Sequence, residues 1–185
     1  EPDRVPVAHF IQGAARRLTG ITYRDFALRP DKTAEAYEAV LDIIGGDALY
    51  STVDLSVEAA DFGQEMVYPA NSTVHPNYRN PRIKTVEDYE RLEVFDPCSS
   101  PRMGAVIELG RRLSRMARLR YAVTGFAFGP LGVLGMMRGV QDLFKDCVRH
   151  PEKVKAGLEI VTEVLIAFVR AQLDASGGTL GNRIR

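Results

Sequence analysis

Apolar residues cluster in short runs separated by longer stretches in which they recur every three or four positions, a pattern that predicts strands alternating with helices. Val5 to Phe10 is the first run and predicts a short buried strand, followed by a brief helical turn over Gly13 to Leu18 that breaks at Thr19-Gly20. From Asp31, read as an N-cap, Ala34, Tyr37, Val40, Leu41 and Ile44 repeat at helical spacing until Gly45-Gly46 stops the helix. Ala48 to Val53 predicts the second strand, and Asp54 to Ala59 leaves it for a short helix. Residues 63–84 are rich in Gly, Pro, Asn, Ser and Thr around the strand-like Glu65 to Tyr68, which predicts an irregular excursion that builds a rim or lid rather than a domain linker.

Thr85 to Asp88 reads as a capping-box start with Asp in place of Glu, and Pro97 ends the short helix that follows. Ser100 is read as the cap of a helix with Pro101 at its first position, Val106, Ile107, Leu109, Leu113 and Met116 on its apolar side, and Arg111, Arg112, Arg115 and Arg118 on its solvated face. Tyr121 to Phe128 predicts the third strand. Helices follow from about Leu131 and Val140, and a long one runs from Pro151 through Val154, Leu158, Val161, Leu165, Phe168 and Leu173 to a stop at Gly177-Gly178. Strands separated by helical stretches predict parallel βα units with right-handed crossovers, so the fold class is α/β in one domain. Both a (β/α)₈ TIM-type barrel and an open doubly wound sheet meet that description.

Composition narrows the function. The 185 residues are 45% hydrophobic and 26% charged, as in an ordinary globular domain, and 24 basic side chains balance 24 acidic ones. No net field favours nucleic acid or an anionic membrane. Val164 to Val169, the longest apolar stretch near the C-terminus, is far shorter than the roughly 20 residues of a membrane span. With no signal-like start and only Cys98 and Cys147, a cytoplasmic location without disulfides is expected. No G-x-G-x-x-G follows the first strand, and no Walker A or G-x-S-x-G sequence occurs, which removes the main support for nucleotide binding and for nucleophilic hydrolysis. No two His or Cys stand at metal-ligand spacing, so no metal is assigned to this chain.

In parallel α/β folds the working residues sit where strands end on their carboxyl side. The first strand end offers Gln12 and Arg16. Arg16 suits a substrate carboxylate or phosphate, although Arg16-Arg17 equally suits a surface pair. The second offers Asp54 and Glu58, four apart, which a helix starting there would place on one side of the mouth as an acid/base or cation-orienting pair; the plain alternative is an N-cap and a solvated glutamate. The third offers Thr124, Phe126 and Phe128 for substrate contact. His9, within the first strand, reads as a core histidine, and His150 as a helix cap.

Arg4 to Val7, Gln12 to Gly20, the helix from Asp31, Gly46-Asp47-Ala48, Asp54 to Ala59 with Gly63, Thr124 to Leu131, and His150-Pro151-Glu152 occur in an order that resembles the N-terminal part of the uroporphyrinogen decarboxylase superfamily. The resemblance runs to about Gly178 and implies the (β/α)₈ barrel. Departures within it point to one branch. The decarboxylases resemble one another in an Arg-Gln-Ala-Gly-Arg stretch whose arginines meet substrate carboxylates, whereas here Gln12-Gly13-Ala14-Ala15-Arg16 keeps only the second arginine. Their Phe-Ser-Asp at the second strand end becomes Ser51-Thr52-Val53-Asp54, and Asp54-Leu55-Ser56-Val57-Glu58-Ala59 instead resembles the Asp-Leu-Thr-Val-Glu-Ala segment of methylcobamide-dependent methyltransferases. That branch implies transfer of a methyl group from a methyl-corrinoid protein to a thiol or tetrahydrofolate-type acceptor, with zinc held by His and Cys late in the barrel, beyond this chain. The alternatives are uroporphyrinogen decarboxylation, which needs no cofactor, and a non-catalytic ligand-binding role.

A full barrel takes about 250 residues, and three strands in 185 residues imply only part of one. Gly177 to Arg185 is too polar for a buried fourth strand. Uncovered strand edges would then favour self-association or a complementing chain.

Overall fold

The computed structural model describes residues 4–117 and 120–177. Arg118 and the polar tail from Gly178 lie outside them. In chain order the elements are β1 (Ala8–His9), α1 (Arg16–Thr19), α2 (Tyr23–Leu28), α3 (Pro30–Ile44), β2 (Ala48–Tyr50), α4 (Val57–Asp61), β3 (Met66–Val67), β4 (His75–Pro76), α5 (Pro101–Ala117), β5 (Ala122–Thr124), α6 (Pro130–Arg138), α7 (Val140–Arg149) and α8 (Pro151–Ala175), with 3-10 turns at Gln12–Ala14 and Val86–Arg91.

The three strands expected to be parallel neighbours are so. They form a sheet in the order β1-β2-β5, with Ala8 opposite Ala48, and Leu49 opposite His9 on one side and Val123 on the other. Each strand is shorter than the apolar run that predicts it, because the chain turns away early. Past Tyr50, Thr52 N–H returns to the Tyr50 carbonyl at 2.9 Å, and the Tyr37 hydroxyl of α3 donates to the Thr52 carbonyl at 2.7 Å. At the other end of the sheet Asp47 aligns all three strands: its carboxylate accepts from Val7 N–H and Arg4, and its carbonyl accepts from Ala122 N–H.

Helix α5 packs between α3 and α8. The core between this helical layer and the sheet joins Leu49 and Val123 to Tyr37, Val40, Met103, Ile107, Leu109, Leu113, Val161, Val164 and Phe168, all nearly or fully buried. Apolar periodicity therefore places the right faces inward, with two exceptions at helix ends: Ile44 is 53% and Leu173 37% exposed. His9 is half-buried rather than a full core residue, and the side chain of His150, although at the N-cap position of α8, makes no capping bond. Among the described residues no helix is long and apolar enough to cross a membrane.

Two helix starts differ from expectation. Helix α3 begins at Pro30 with Arg29 as N-cap; Asp31, placed in the first turn, pairs instead with Arg29 at 2.8 Å. Gly45 stops this helix as expected, at φ 75°, where a side chain would be strained. For α5 the capping oxygens come from Asp61 of α4, which accepts from Arg102 N–H at 3.0 Å and from Met103 N–H at 2.6 Å, while the Ser100 hydroxyl donates to the same carboxylate at 2.7 Å. A cap borrowed from 40 residues upstream ties α4 to α5. Asp61→Ala is accordingly expected to lower unfolding stability by about 1–2 kcal/mol, and a larger loss in Ser100→Ala would return the capping role to Ser100.

The excursion over 63–84 carries an antiparallel hairpin, with Met66 opposite Pro76 and Val67 opposite His75. Buried Gln64 anchors its base, accepting from Arg82 N–H and donating to the Glu65 carbonyl. Its far end is fastened by Arg138 of α6, which bonds the Ile83 carbonyl and also pairs with Asp146, itself the acceptor of the Tyr89 hydroxyl.

Candidate functional site

Three segments converge at the carboxyl ends of the strands: the 3-10 turn after β1, Leu55-Ser56 after β2, and Thr73 to Tyr78 of the excursion. With Tyr23 and Met136 they line a half-open cavity of about 370 Å³, in the range of small-molecule sites. Gln12 lines this cavity in a left-handed backbone conformation, φ 42°, the one such non-glycine among the described residues, and its buried Nε2 has no hydrogen-bond partner there. A strained backbone next to an unpaired donor makes Gln12 a candidate for ligand contact; Arg16 Nε, Arg102 Nε and Ser114 Oγ are likewise buried without a partner. Arg16, expected beside it, does not line the cavity. Its guanidinium stacks on the ring of Tyr23, a residue of the cavity wall, 4.1 Å from the centroid, and donates to the Ile21 carbonyl at 3.2 Å. The strain has a simple test. Gln12→Gly should be more stable than Gln12→Ala by about 1 kcal/mol, the reverse of the usual order, and the usual order in chemical denaturation would contradict the left-handed assignment.

Asp54 and Glu58 do not share a helix face, because α4 begins only at Val57. Asp54 precedes it and is locked in place: one oxygen accepts from Ser56 N–H at 2.8 Å, and the other forms an ion pair with Arg102 of α5. The side chains of this pair are 1% and 7% exposed. Arg102 also donates to the Ala27 carbonyl at 3.0 Å and lies 5.9 Å from the centre of the Tyr68 ring, so the excursion roofs the pair. Glu58 is 2% exposed, and its Oε1 accepts from Phe128 N–H at 2.9 Å. Burial pushes its pKa above the ordinary glutamate value; the Phe128 N–H works in the opposite direction, and the nearby Asp54 and Asp61 charges add to the rise. The two acids thus differ in their partners: Asp54 is held in a buried ion pair with Arg102, whereas Glu58 accepts from a main-chain N–H and has its pKa raised by burial.

The third strand end supplies aromatic surface. Phe126 lies 5.7 Å from Phe10 and 5.6 Å from Phe128, and Phe10 lies 5.1 Å from Tyr50, in tilted or edge-on contacts. Phe10 is 51% exposed, so this surface is open to a ligand. Thr124 serves the frame, its carbonyl accepting from Ser51 N–H at 2.9 Å. The structure therefore joins Glu58 to Phe128 and, through it, to the Phe126 ring, sets Gln12 in a cavity that Glu58 and these phenylalanines do not line, and gives Arg16 and Asp54 partners within the chain. Arg102, Asp61 and Gln172 were not visible as site residues in the sequence, since each acts on a partner 40 or more positions away. Among the described residues no three His, Cys, Asp or Glu are grouped as a metal centre requires, and Cys98 and Cys147 are free thiols.

The family model described as Uroporphyrinogen decarboxylase (URO-D) matches residues 1–180. No curated protein matches the chain. Among solved structures, a methyltransferase from Methanosarcina mazei superposes with a TM-score of 0.81 at 20% identity, over 95% of this chain and 52% of that one. The chain thus spans about half the length of that enzyme, and the likeness is one of fold: the three parallel βα units are part of a (β/α)₈ barrel.

Proposed function

We propose, for a chain that belongs to the uroporphyrinogen decarboxylase family, that its site serves the transfer of a methyl group from a methyl-corrinoid protein to a thiol or tetrahydrofolate-type acceptor. The observation that carries this reading is the lining of the cavity: Gln12, Tyr23, Ser56, Thr73, His75 and Tyr78 provide its polar groups, and among the described residues no arginine or lysine lines it. A substrate bearing several carboxylates needs cations at that wall, and Arg16 is stacked on Tyr23 instead. Uroporphyrinogen decarboxylation, the second reading, is disfavoured for that reason. The fold shared with a solved methyltransferase supports the first.

In this reading the methyl-corrinoid is a substrate. As the methyl group passes to the acceptor sulfur or nitrogen, the cobalt–carbon bond of the substrate breaks and its electron pair stays on the corrinoid cobalt as Co(I), while the proton that the acceptor loses is taken up by Glu58 as general base. A carboxylate with a raised pKa is the stronger base for that step. Asp54, fixed by Arg102, keeps a negative charge near Glu58 and favours its protonated form. Gln12 orients the acceptor by a hydrogen bond, and Phe10, Phe126 and Phe128 provide an apolar surface for the substrate. Zinc activation of a thiol would need ligands other than the residues described here.

A cytoplasmic location belongs to this reading, and the free thiols of Cys98 and Cys147 are compatible with it. The outer strands β1 and β5 each have one unpaired edge among the described residues, and Ile166 and Val169 of α8 are exposed. Further strands or a second chain would cover these surfaces, and light scattering on the 185-residue chain is expected to report association. The test of the function is a side-by-side assay of the complete protein. Demethylation of methylcobalamin with a thiol or folate acceptor, and none of uroporphyrinogen decarboxylation, is the expected result; the opposite outcome would establish the decarboxylase, and ligand binding without either activity would establish a binding role.

A further inference from the structure

Gln172, near the end of α8, is 5% exposed and commits its whole amide to one residue of main chain. Its Oε1 accepts from Phe126 N–H at 3.1 Å and its Nε2 donates to the Phe126 carbonyl at 3.1 Å. This two-point contact resembles the exchange made by a paired strand, and it fixes the peptide planes on both sides of Phe126. Gly125 leaves room for the contact: a Cβ there would lie 3.0 Å from Gln172 Oε1 and 3.3 Å from its Cδ, tight enough that the amide would have to shift by a few tenths of an ångström. Two residues after Phe126, the Phe128 N–H donates to Glu58 at 2.9 Å. The side chain of a helix on one side of the sheet thus reaches the acid of the site through three residues of backbone.

We propose that Gln172 is a positioning residue, which holds Gly125 to Phe128 so that the Phe128 N–H stays on Glu58 and the Phe126 ring stays against Phe10 and Phe128. The proposal rests on the reading of Glu58 as the proton-exchanging group. The charges acting on Glu58 are Asp54 and Asp61, with Arg102 held on Asp54. Gln172 is neutral, so its influence passes through the main chain and not through its field. Loosening its grip weakens the larger of the two backbone hydrogen bonds that favour the charged carboxylate, and Glu58 then holds its proton to higher pH.

The test is a carbon-detected NMR titration of the Glu58 carboxyl in the full chain, in wild type, Gln172→Leu and Gly125→Ala. Leucine removes both hydrogen bonds at similar volume, and alanine at 125 keeps Gln172 but displaces its amide. The Glu58 midpoint is expected to rise by about one pH unit in each variant, the worth of a weakened bond to a charged group. If Gln172 only packs α8 against the sheet, the variants lose stability while the midpoint stays where it is in wild type, and the proposal is overturned. Should Gln172→Leu fail to fold, Gly125→Ala, the smaller change, decides. The titration needs no methyl transfer, so failure of the proposed activity and failure of this proposal are separately visible.

Discussion

Arg102→Met will lower unfolding stability by about 3–5 kcal/mol. The loss comes from what remains behind. Asp54 is 1% exposed and keeps only the Ser56 N–H once the guanidinium is gone, so a charge sits in the interior without its counter-ion. The Ala27 carbonyl also loses its Arg102 donor. A buried ion pair is a weak source of net stability, because desolvation of both charges offsets their attraction, but removing one partner is costly. The double variant Asp54→Leu with Arg102→Met should therefore recover most of the loss, and the coupling between the two positions in denaturant unfolding should be large. A single-variant loss below about 1 kcal/mol would contradict the buried pairing, since that is the range of solvent-exposed pairs.

Glu58→Gln will separate stability from activity. Turnover in the methyl-transfer assay is expected to fall about 10²–10⁴-fold, the contribution of a positioned general base. Stability at neutral pH should rise. Burial raises the folded pKa of Glu58 above its ordinary value of 4.5, so between that value and the folded one the native state binds more proton than the unfolded chain. By linkage, the wild-type contribution from Glu58 is full below the ordinary value and is lost as pH rises through the folded pKa. Glutamine keeps an acceptor for the Phe128 N–H, carries no charge to desolvate, and removes that slope. Equal activity in Glu58→Gln and wild type would remove Glu58 from the mechanism. A stability that falls in the variant at neutral pH would show that the charged carboxylate is favoured in the fold.

The frame was legible because it depends on local periodicity. Val5 to Phe10, Ala48 to Val53 and Tyr121 to Phe128 are apolar runs bounded by turn residues, and each contains one of the parallel strands. The site was legible only in part. Glu58, Gln12, Phe126 and Phe128 follow strand ends, a position that topology marks out; Gln12 lines the cavity, Phe126 and Phe128 form the aromatic surface, and Glu58 accepts from Phe128 N–H. The division of labour between Asp54 and Glu58 was not legible, because it turns on where α4 starts and on an arginine 48 positions after Asp54. Arg102 follows a proline at a helix start and looks like an ordinary first-turn residue; only packing of α4 against α5 buries it. The start of α5 misled for the same reason, since Ser100 fits the local rule for a cap while Asp61 supplies the oxygens.

The measurement that bears most directly on the site is the NMR titration of Glu58 in the wild-type chain. A single protonation with its midpoint above the ordinary glutamate value, and lost from the spectrum in Glu58→Gln, is the predicted result. A midpoint at or below that value would mean that solvent or a cation reaches the carboxylate, and the assignment of Glu58 as the proton-exchanging group would be wrong.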